Sequence, residues 1–181
     1  PSKYNVTLMW GGYHKQNLEH RKREYYSGIA EMIELYPQIN VILRPRNLYR
    51  GRFLDKNAER ILGKYINSGK ITIEIDDFDT YDLIAYSDLI ISLNTSTSAA
   101  ESLCAGRKAF CYICSGIDNY SSYKQLDARL QVNNKEDFMK LVHYYLFDKE
   151  SDKKPSEVYH QFGLVHDGNV FSRIRDALRT I

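Results

Sequence analysis

Short apolar runs alternate with helical patterns along most of the chain, and this alternation restricts the fold more than any other feature. The runs have five to seven residues, and several are almost continuously hydrophobic, as strands buried on both faces are. They lie at 4–10, 39–43, 71–75, 88–93 and 108–113. Strands that alternate with helices form parallel sheets through right-handed crossovers. The sequence therefore predicts an α/β domain with a doubly wound, Rossmann-like parallel sheet of five to six strands and helices on both faces.

The segments between these runs have the period of amphipathic helices. The first carries an apolar stripe from Leu18 to Tyr36 and ends at Pro37, and the others cover about 54–66, 81–86 and 97–105. After 113 the pattern predicts a short sixth strand at 130–132. A capping box of Asn133 and Glu136 is expected to open the next helix.

The length of 181 residues fits one domain. We assign 1–150 to this domain and 151–181 to a linker and a C-terminal helix, at about 170–178, that packs back onto the sheet. A charged stretch at 149–155 spans this boundary. Since the sequence starts with Pro1 and not with Met, we expect it to be a piece of a longer protein.

Composition excludes several classes of protein. The 25 Lys and Arg nearly balance the 23 Asp and Glu, which disfavours a dedicated nucleic-acid binder. The longest apolar run, 109–114, is too short to span a membrane. The odd number of cysteines, Cys104, Cys111 and Cys114, predicts buried, reduced thiols and a cytoplasmic location. Cys111 and Cys114 lie three residues apart in a predicted strand and should face opposite sides, so neither a redox pair nor zinc is expected.

The carboxyl ends of parallel strands meet at one edge of the sheet, where ligands bind. The strand at 88–93 ends in Asn94-Thr95-Ser96-Thr97-Ser98 and runs directly into a helix. Free amides and hydroxyls at a helix start favour an anion, so this segment predicts a phosphate site. The alternative is that Ser98 and Glu101 only form a capping box.

Three further loops lie at the same predicted end of the strands, at 11–14, 44–47 and 76–79. Arg44 and Arg46 could pair with a phosphate or be exposed charges. Gly11 and Gly12 could allow a ligand close to the backbone or form a plain turn, and His14 could face the same cleft or lie exposed.

Asp77-Phe78-Asp79 has a D-x-D pattern, whose two carboxylates could bind a divalent metal such as Mg²⁺ or Mn²⁺. Capping explains it better, because Asp79 precedes a predicted helix and Asp82 lies in its first turn. No metal is expected here. Asp77 could instead border the same cleft.

Four motifs resemble a known family in their order and spacing. They are DLIAYSDLIIS at 82–92, STSAAE at 96–101, GRKAF at 106–110 and DGNVFSRI at 167–174. The chain resembles the C-terminal half of GT-B glycosyltransferases, of the bacterial surface or capsular polysaccharide type. It has Arg44-Pro45-Arg46 where those enzymes often carry a His-Pro element.

The resemblance implies a domain that binds a nucleotide-sugar donor as substrate, with no cofactor. Ser96, Thr97 and Ser98 would hold the nucleotide phosphate, and Glu101 would accept hydrogen bonds from ribose hydroxyls. It also implies a second Rossmann-like domain as partner and transfer of the sugar to a polysaccharide or glycan. Nucleic acid is not expected as a partner, and any peripheral contact with a membrane would come from the missing part.

Two alternatives stay open. The chain could be a non-catalytic α/β interaction or regulatory module, for which its 15 tyrosines would suit an interface. It could also be an epimerase of the related sugar-nucleotide fold. That reaction would need acid-base carboxylates, for which Asp76, Asp77 and Glu101 are the candidates.

Overall fold

The computed structural model describes residues 4–9, 19–45, 54–74, 78–94, 96–114 and 129–152. The strands in this part of the chain are β1 (Tyr4–Met9), β2 (Ile39–Arg44), β3 (Ile71–Ile73), β4 (Leu89–Leu93), β5 (Lys108–Tyr112) and β6 (Gln131–Val132). The α-helices are α1 (Glu19–Leu35), α2 (Lys56–Asn67), α3 (Thr80–Tyr86), α4 (Thr97–Cys104) and α5 (Lys135–Phe147). A 3-10 turn at Lys149–Asp152 follows α5.

The strands form one sheet in the order β3-β2-β1-β4-β5-β6, and every pair of neighbours is parallel. The predicted Rossmann-like α/β fold is therefore confirmed, including the sixth strand. The hydrophobic runs became strands because they are buried on both faces: every residue of β4 is inaccessible to solvent or nearly so.

Helices cover both faces of this sheet. On one face α1, α2 and α5 enclose the larger apolar cluster, which includes Leu89, Ile91 and Leu93 of β4. On the other face α3 and α4 enclose a smaller cluster, to which β4 contributes Ile90. The alternation of side chains along each strand thus divides the core into two layers.

Aromatic rings dominate the larger cluster where α1 meets α5. The ring of Tyr25 lies 5.0 Å from that of Tyr112 and 5.9 Å from that of Phe138, and Phe110 lies 5.7 Å from Phe138. A Cβ added at Gly28 of α1 would lie 2.9 Å from Cδ1 of Phe138. The absence of a side chain at Gly28 is what allows the two helices to approach over these rings.

The capping box expected at the start of α5 is wrong by one residue. α5 is capped by Asn134, which accepts from the N–H of Asp137, and not by Asn133; Glu136 instead pairs with Lys140. The charged stretch after α5 begins with the 3-10 turn, in which the hydroxyl of Ser151 donates to the Asp148 carbonyl and accepts from the Lys108 ammonium. The predicted helix at 170–178 lies outside the described residues, so the domain boundary stays a prediction.

Among the helices in the described ranges, not one combines the length and apolarity that a membrane crossing requires.

The Gly28 contact predicts that two glycine variants have opposite effects on stability. Gly28→Ala forces a methyl group against Phe138, at a cost of about 1–3 kcal/mol that exceeds the helix-propensity gain of about 1 kcal/mol. Gly63→Ala is the control, because a Cβ in the middle of α2 would meet nothing within 4 Å. It should stabilise the protein by about 0.5–1 kcal/mol. Urea unfolding measures the change in the free energy of unfolding for each variant. Changes of the same sign in the two variants would contradict the close approach of α1 and α5.

Candidate functional site

β1 and β4 lie side by side in the middle of the sheet, but the chain leaves them in opposite directions. From β1 it continues to β2 on one side, and from β4 it continues to β5 on the other. Their last paired residues are Met9 and Ser92. In open parallel sheets, ligands bind in the crevice outside the carboxyl ends of such a pair. The candidate site therefore lies at the carboxyl ends of the strands, between the segments that follow β1 and β4.

Asn94 makes the turn out of β4. Its φ is 59°, and no other described residue apart from glycine has a positive φ. Its backbone N–H donates to the Tyr112 carbonyl at 2.7 Å, and its side-chain Oδ1 accepts from the N–H of Cys114 at 2.8 Å. The residue is only 3% exposed. Asn94 therefore binds the end of β4 to the end of β5 through both backbone and side chain.

α4 begins at Thr97 after the N-cap residue Ser96, but the Ser96 hydroxyl does not cap the helix. It donates instead to Oγ of Ser92, 2.9 Å away and fully buried in β4. The alternative of a capping box at Ser98 and Glu101 is therefore wrong. Such a box needs its serine at the N-cap, and Ser98 is already the second residue of the helix.

The other helix starts differ from that of α4. Asp55 caps α2, Asp79 caps α3 and Asn134 caps α5, each through a side-chain oxygen that accepts from a first-turn amide. Of the four helices whose N-cap residue is described, α4 is the one without such a bond. Uncapped first-turn amides carry partial positive charge and favour an anion.

The predicted phosphate and ribose residues lie together at the start of α4. Thr97 is exposed, and Ser96, Ser98 and Glu101 are half-buried. Glu101 is three residues after Ser98 and four after Thr97, which puts the three side chains on neighbouring positions of the helix surface. Whether they bind a nucleotide stays a prediction.

Arg44 is the last residue of β2, with β1 between it and β4. At the spacing of neighbouring strands, about 10 Å separates β2 from β4. Since Ile42 packs on the α3 and α4 face, alternation puts Arg44 on that face too. Its Nη1 donates to the Glu74 carbonyl at 3.5 Å. The other predicted residues of this edge lie outside the described residues: Gly11, Gly12, His14, Arg46, Asp76 and Asp77.

The capping role predicted for Asp79 is confirmed. Its side chain accepts from the N–H of Asp82 at 2.8 Å, and Asp82 accepts from the N–H of Asp79 at 3.3 Å. This reciprocal box occupies one carboxylate of the D-x-D pattern. Within the described ranges, no group of three His, Cys, Asp or Glu residues is arranged to hold a metal.

A buried ionic cluster at the same edge was not predicted. Lys22 of α1 is 5% exposed and pairs with Glu19 and with Asp55, the N-cap of α2. The Tyr26 hydroxyl donates to the same Asp55 carboxylate at 2.8 Å. The position of Asp55 at the start of a predicted helix could have indicated the cap, but nothing in the charged run at 19–24 singles out Lys22. The cluster fixes the starts of α1 and α2 relative to each other.

Cys111 and Cys114 are buried thiols, as predicted, whereas Cys104, which was predicted to be buried too, is half-buried at the end of α4. Cys111 belongs to the cluster under α4 and Cys114 to the cluster under α1, so they lie on opposite faces of the sheet. Burial raises the pKa of each thiol to about 12. Both are therefore protonated at neutral pH and are weak nucleophiles.

No protein-family model and no curated protein sequence matches the chain. Solved structures do match its fold. A Listeria monocytogenes protein assigned as a UDP-N-acetylglucosamine 2-epimerase aligns with a TM-score of 0.69 and 17% identity, over 99% of this chain and 45% of that one. The UDP-GlcNAc 2-epimerase from Neisseria meningitidis, bound to UDP-GlcNAc, aligns with a TM-score of 0.60 and 15% identity, over 98% and 45%.

Glycosyltransferases are similar to the chain as well. The glycosyltransferase of kitacinnamycin aligns with a TM-score of 0.58 and 12% identity, over 99% of this chain and 43% of that one. At these identities the likeness shows the fold alone. The chain spans less than half the length of these neighbours, which are GT-B fold glycosyltransferases and UDP-GlcNAc 2-epimerases.

Because Asp55 is charged and paired in the ionic cluster, part of the free energy of unfolding should be lost in acid. Asp55→Asn should remove that part of the pH dependence. Burial alone would raise the pKa of Asp55, but the Ala58 amide, the Tyr26 hydroxyl and the Lys22 ammonium together lower it. A lowered folded-state pKa contributes stability above the unfolded-state value of about 4, and this contribution is lost as the pH falls through the folded-state pKa. Asp55→Asn should therefore lose about 1–2 kcal/mol at pH 7 and much less near pH 2.

Chemical unfolding at several pH values measures this difference. Glu31→Gln is the control, since Glu31 forms an exposed pair with Lys135 and its loss should matter less. A difference between wild type and Asp55→Asn that stays the same from pH 7 to pH 2 would contradict the charged role of Asp55.

Proposed function

We propose that the chain is the donor-binding domain of a GT-B-type glycosyltransferase, which holds a nucleotide-activated sugar for transfer to a polysaccharide or glycan. The observation that carries this proposal is the uncapped start of α4 beside the central β1–β4 pair. An anionic phosphate placed there would accept from first-turn amides that no side chain in the described ranges caps.

Each predicted residue has a role that its chemistry suits. The amides and hydroxyls of Thr97 and Ser98 bind phosphate oxygens, with Ser96 as the N-cap beneath them. Glu101, one turn further along, accepts from two vicinal ribose hydroxyls. Arg44, at the end of β2, adds positive charge at the same end of the strands and offsets the charge of the phosphates, and Arg46 is expected to do the same.

Such a domain contributes to transfer mainly by position and charge. When the sugar leaves, negative charge grows on the departing phosphate, and preorganised amides, hydroxyls and arginines stabilise it. The acceptor and the catalytic base come from a second Rossmann-like domain, on the same polypeptide or on another. Bacterial surface or capsular polysaccharide is the acceptor class that the sequence motifs favour.

A sugar-nucleotide epimerase is the second candidate. Its support is that the Listeria protein aligns more closely in fold than the glycosyltransferase does, with TM-scores of 0.69 and 0.58. Glu101, Asp76 and Asp77 would be the carboxylates available for proton transfer in that case. The interaction-module alternative has less support, because the α4 hydroxyls do not serve as caps.

The proposal predicts that the 181-residue protein binds a nucleoside mono- or diphosphate. Isothermal titration with CMP, CDP, UDP and GDP should give at least one dissociation constant below about 1 mM. The double variant Thr97→Ala with Ser98→Ala should bind that ligand about 5- to 30-fold more weakly, because it loses two hydroxyl contacts of about 0.5–1 kcal/mol or more each.

Ser68→Ala is the matched control. It removes an exposed hydroxyl from the end of α2. This position lies at the amino ends of the strands, away from the candidate site, and should leave binding unchanged. If wild type binds none of the four nucleotides at millimolar concentration, the proposed function is wrong for this chain.

Deuterium exchange separates the two enzyme classes. UDP-GlcNAc is incubated with the protein in D₂O, and the sugar ring is followed by proton NMR. Deuterium that appears in the ring favours the epimerase, because epimerisation at a carbon breaks a C–H bond. The donor-binding domain predicts nucleotide binding without exchange, so exchange would contradict it.

A further inference from the structure

A cleft of about 530 Å³ runs along the outer side of α5, beside α1. Apart from Glu31 of α1, the residues that line it belong to α5 or to its C-cap, at 135–136, 139–140, 143–144 and 148. Residues three and four apart share one side of a helix, so these positions form a single stripe of about four turns. We call it the α5 stripe. Its ends are Lys135 and Asp148.

The α5 stripe has an apolar centre and charged ends. Met139 and Tyr144 in its centre are half-buried, and both line the cleft. The two lysines of the stripe are each paired with a glutamate of the same chain, at 2.7 and 2.8 Å. Acidic and basic groups therefore nearly balance, whereas a surface for nucleic acid or anionic lipid would be basic. An apolar centre within a polar rim is the anatomy of a protein interface.

The charges at both ends of the stripe oppose the dipole of their own helix. Lys135 is the first residue of α5, where an anion is favoured, and Asp148 is the C-cap, where a cation is favoured. A second α5 that lies antiparallel to the first would reverse both effects. Each lysine would then lie beside the C-terminal end of the other helix, and each aspartate beside its N-terminal end.

The order of residues along the stripe suits such an antiparallel pair. Lys135 and Asp148 are equally far from the point between residues 141 and 142, and so are Met139 and Tyr144. Two helices that cross at this point therefore place each Lys135 opposite an Asp148, and each Met139 against a Tyr144 ring, a contact that sulfur favours. Positions 140 and 143 bring a lysine opposite a histidine, whose ring can accept a hydrogen bond.

We propose that the α5 stripe is a self-association surface, through which two copies of the chain pair with their α5 helices antiparallel about a two-fold axis. In such a contact the same residues are used by both copies. A helix of 13 residues is about 20 Å long, and one of its sides covers far less than the roughly 800 Å² per partner of a stable complex. The dimer is therefore weak, with a dissociation constant of about 10 µM to 1 mM.

Sedimentation of the full chain from about 5 µM to 1 mM measures this constant. Lys135→Glu should weaken the dimer about fivefold or more, and adding Asp148→Lys to it should restore the constant to within about twofold of wild type. The two positions lie about 20 Å apart along one helix, so this rescue cannot arise within one copy. Lys56→Glu, at the exposed start of α2, is the control and should leave association unchanged.

Disulfide formation tests the register. Met139→Cys chains mixed with Tyr144→Cys chains should form a linked heterodimer on oxidation. Either variant alone should link much less, because like positions would be offset by about 7 Å along the helix axes in addition to the distance between the helices. Oxidised wild type gives the background from the native cysteines, of which Cys104 is half-buried.

Two results would overturn the inference. A wild-type chain that stays monomeric at the highest concentration does not associate through this stripe, which then serves a different partner or none. A dimer that ignores Lys135→Glu, or that links like positions as readily as Met139→Cys to Tyr144→Cys, uses another surface or another register. Neither result affects the proposed function, because the nucleotide titrations do not involve α5.

Discussion

The parallel pairing of β1 with β4 is the interaction on which the rest of the structure depends. These strands are far apart in sequence, and the contacts that join them begin before the ladder itself. Asn5 and Asp88 exchange two hydrogen bonds of 2.8 Å, and the buried hydroxyls of Thr7 and Ser87 lie 2.6 Å apart. The ladder from Val6 to Met9 then follows in register. Without this pair the two halves of the sheet would have no common centre, and no crevice would exist between their outgoing loops.

The two faces of the sheet are stabilised in different ways. The α1, α2 and α5 face has a large cluster rich in aromatic rings, where apolar area supplies most of the stabilisation. The α4 face has a smaller apolar cluster, beside which the buried Ser92 hydroxyl accepts from Ser96 at the start of α4. Hydrogen bonds are directional, whereas apolar contacts are not, so this bond restricts how the start of α4 lies on β4.

Sequence patterns predicted what depends on local burial and missed what depends on tertiary pairing. The strands were predictable because their residues are buried on both faces, and the Asp79 cap because its partner is three residues away. The capping box at Ser98 was wrong because the Ser96 hydroxyl has a partner in β4 that no local pattern reveals. Lys22 was missed for the same reason, since its partner Asp55 belongs to another helix.

The ends of the sheet have a consequence for behaviour at high concentration. Its two outermost strands are β3, with three residues, and β6, with two. An exposed strand edge can pair with another molecule, and the longer and flatter it is the better it does so. All the long strands of the described part of the chain lie inside the sheet, with both sides paired. The hydrophobic sequences that form the core are thus the ones least available for intermolecular β-aggregation once the domain has folded.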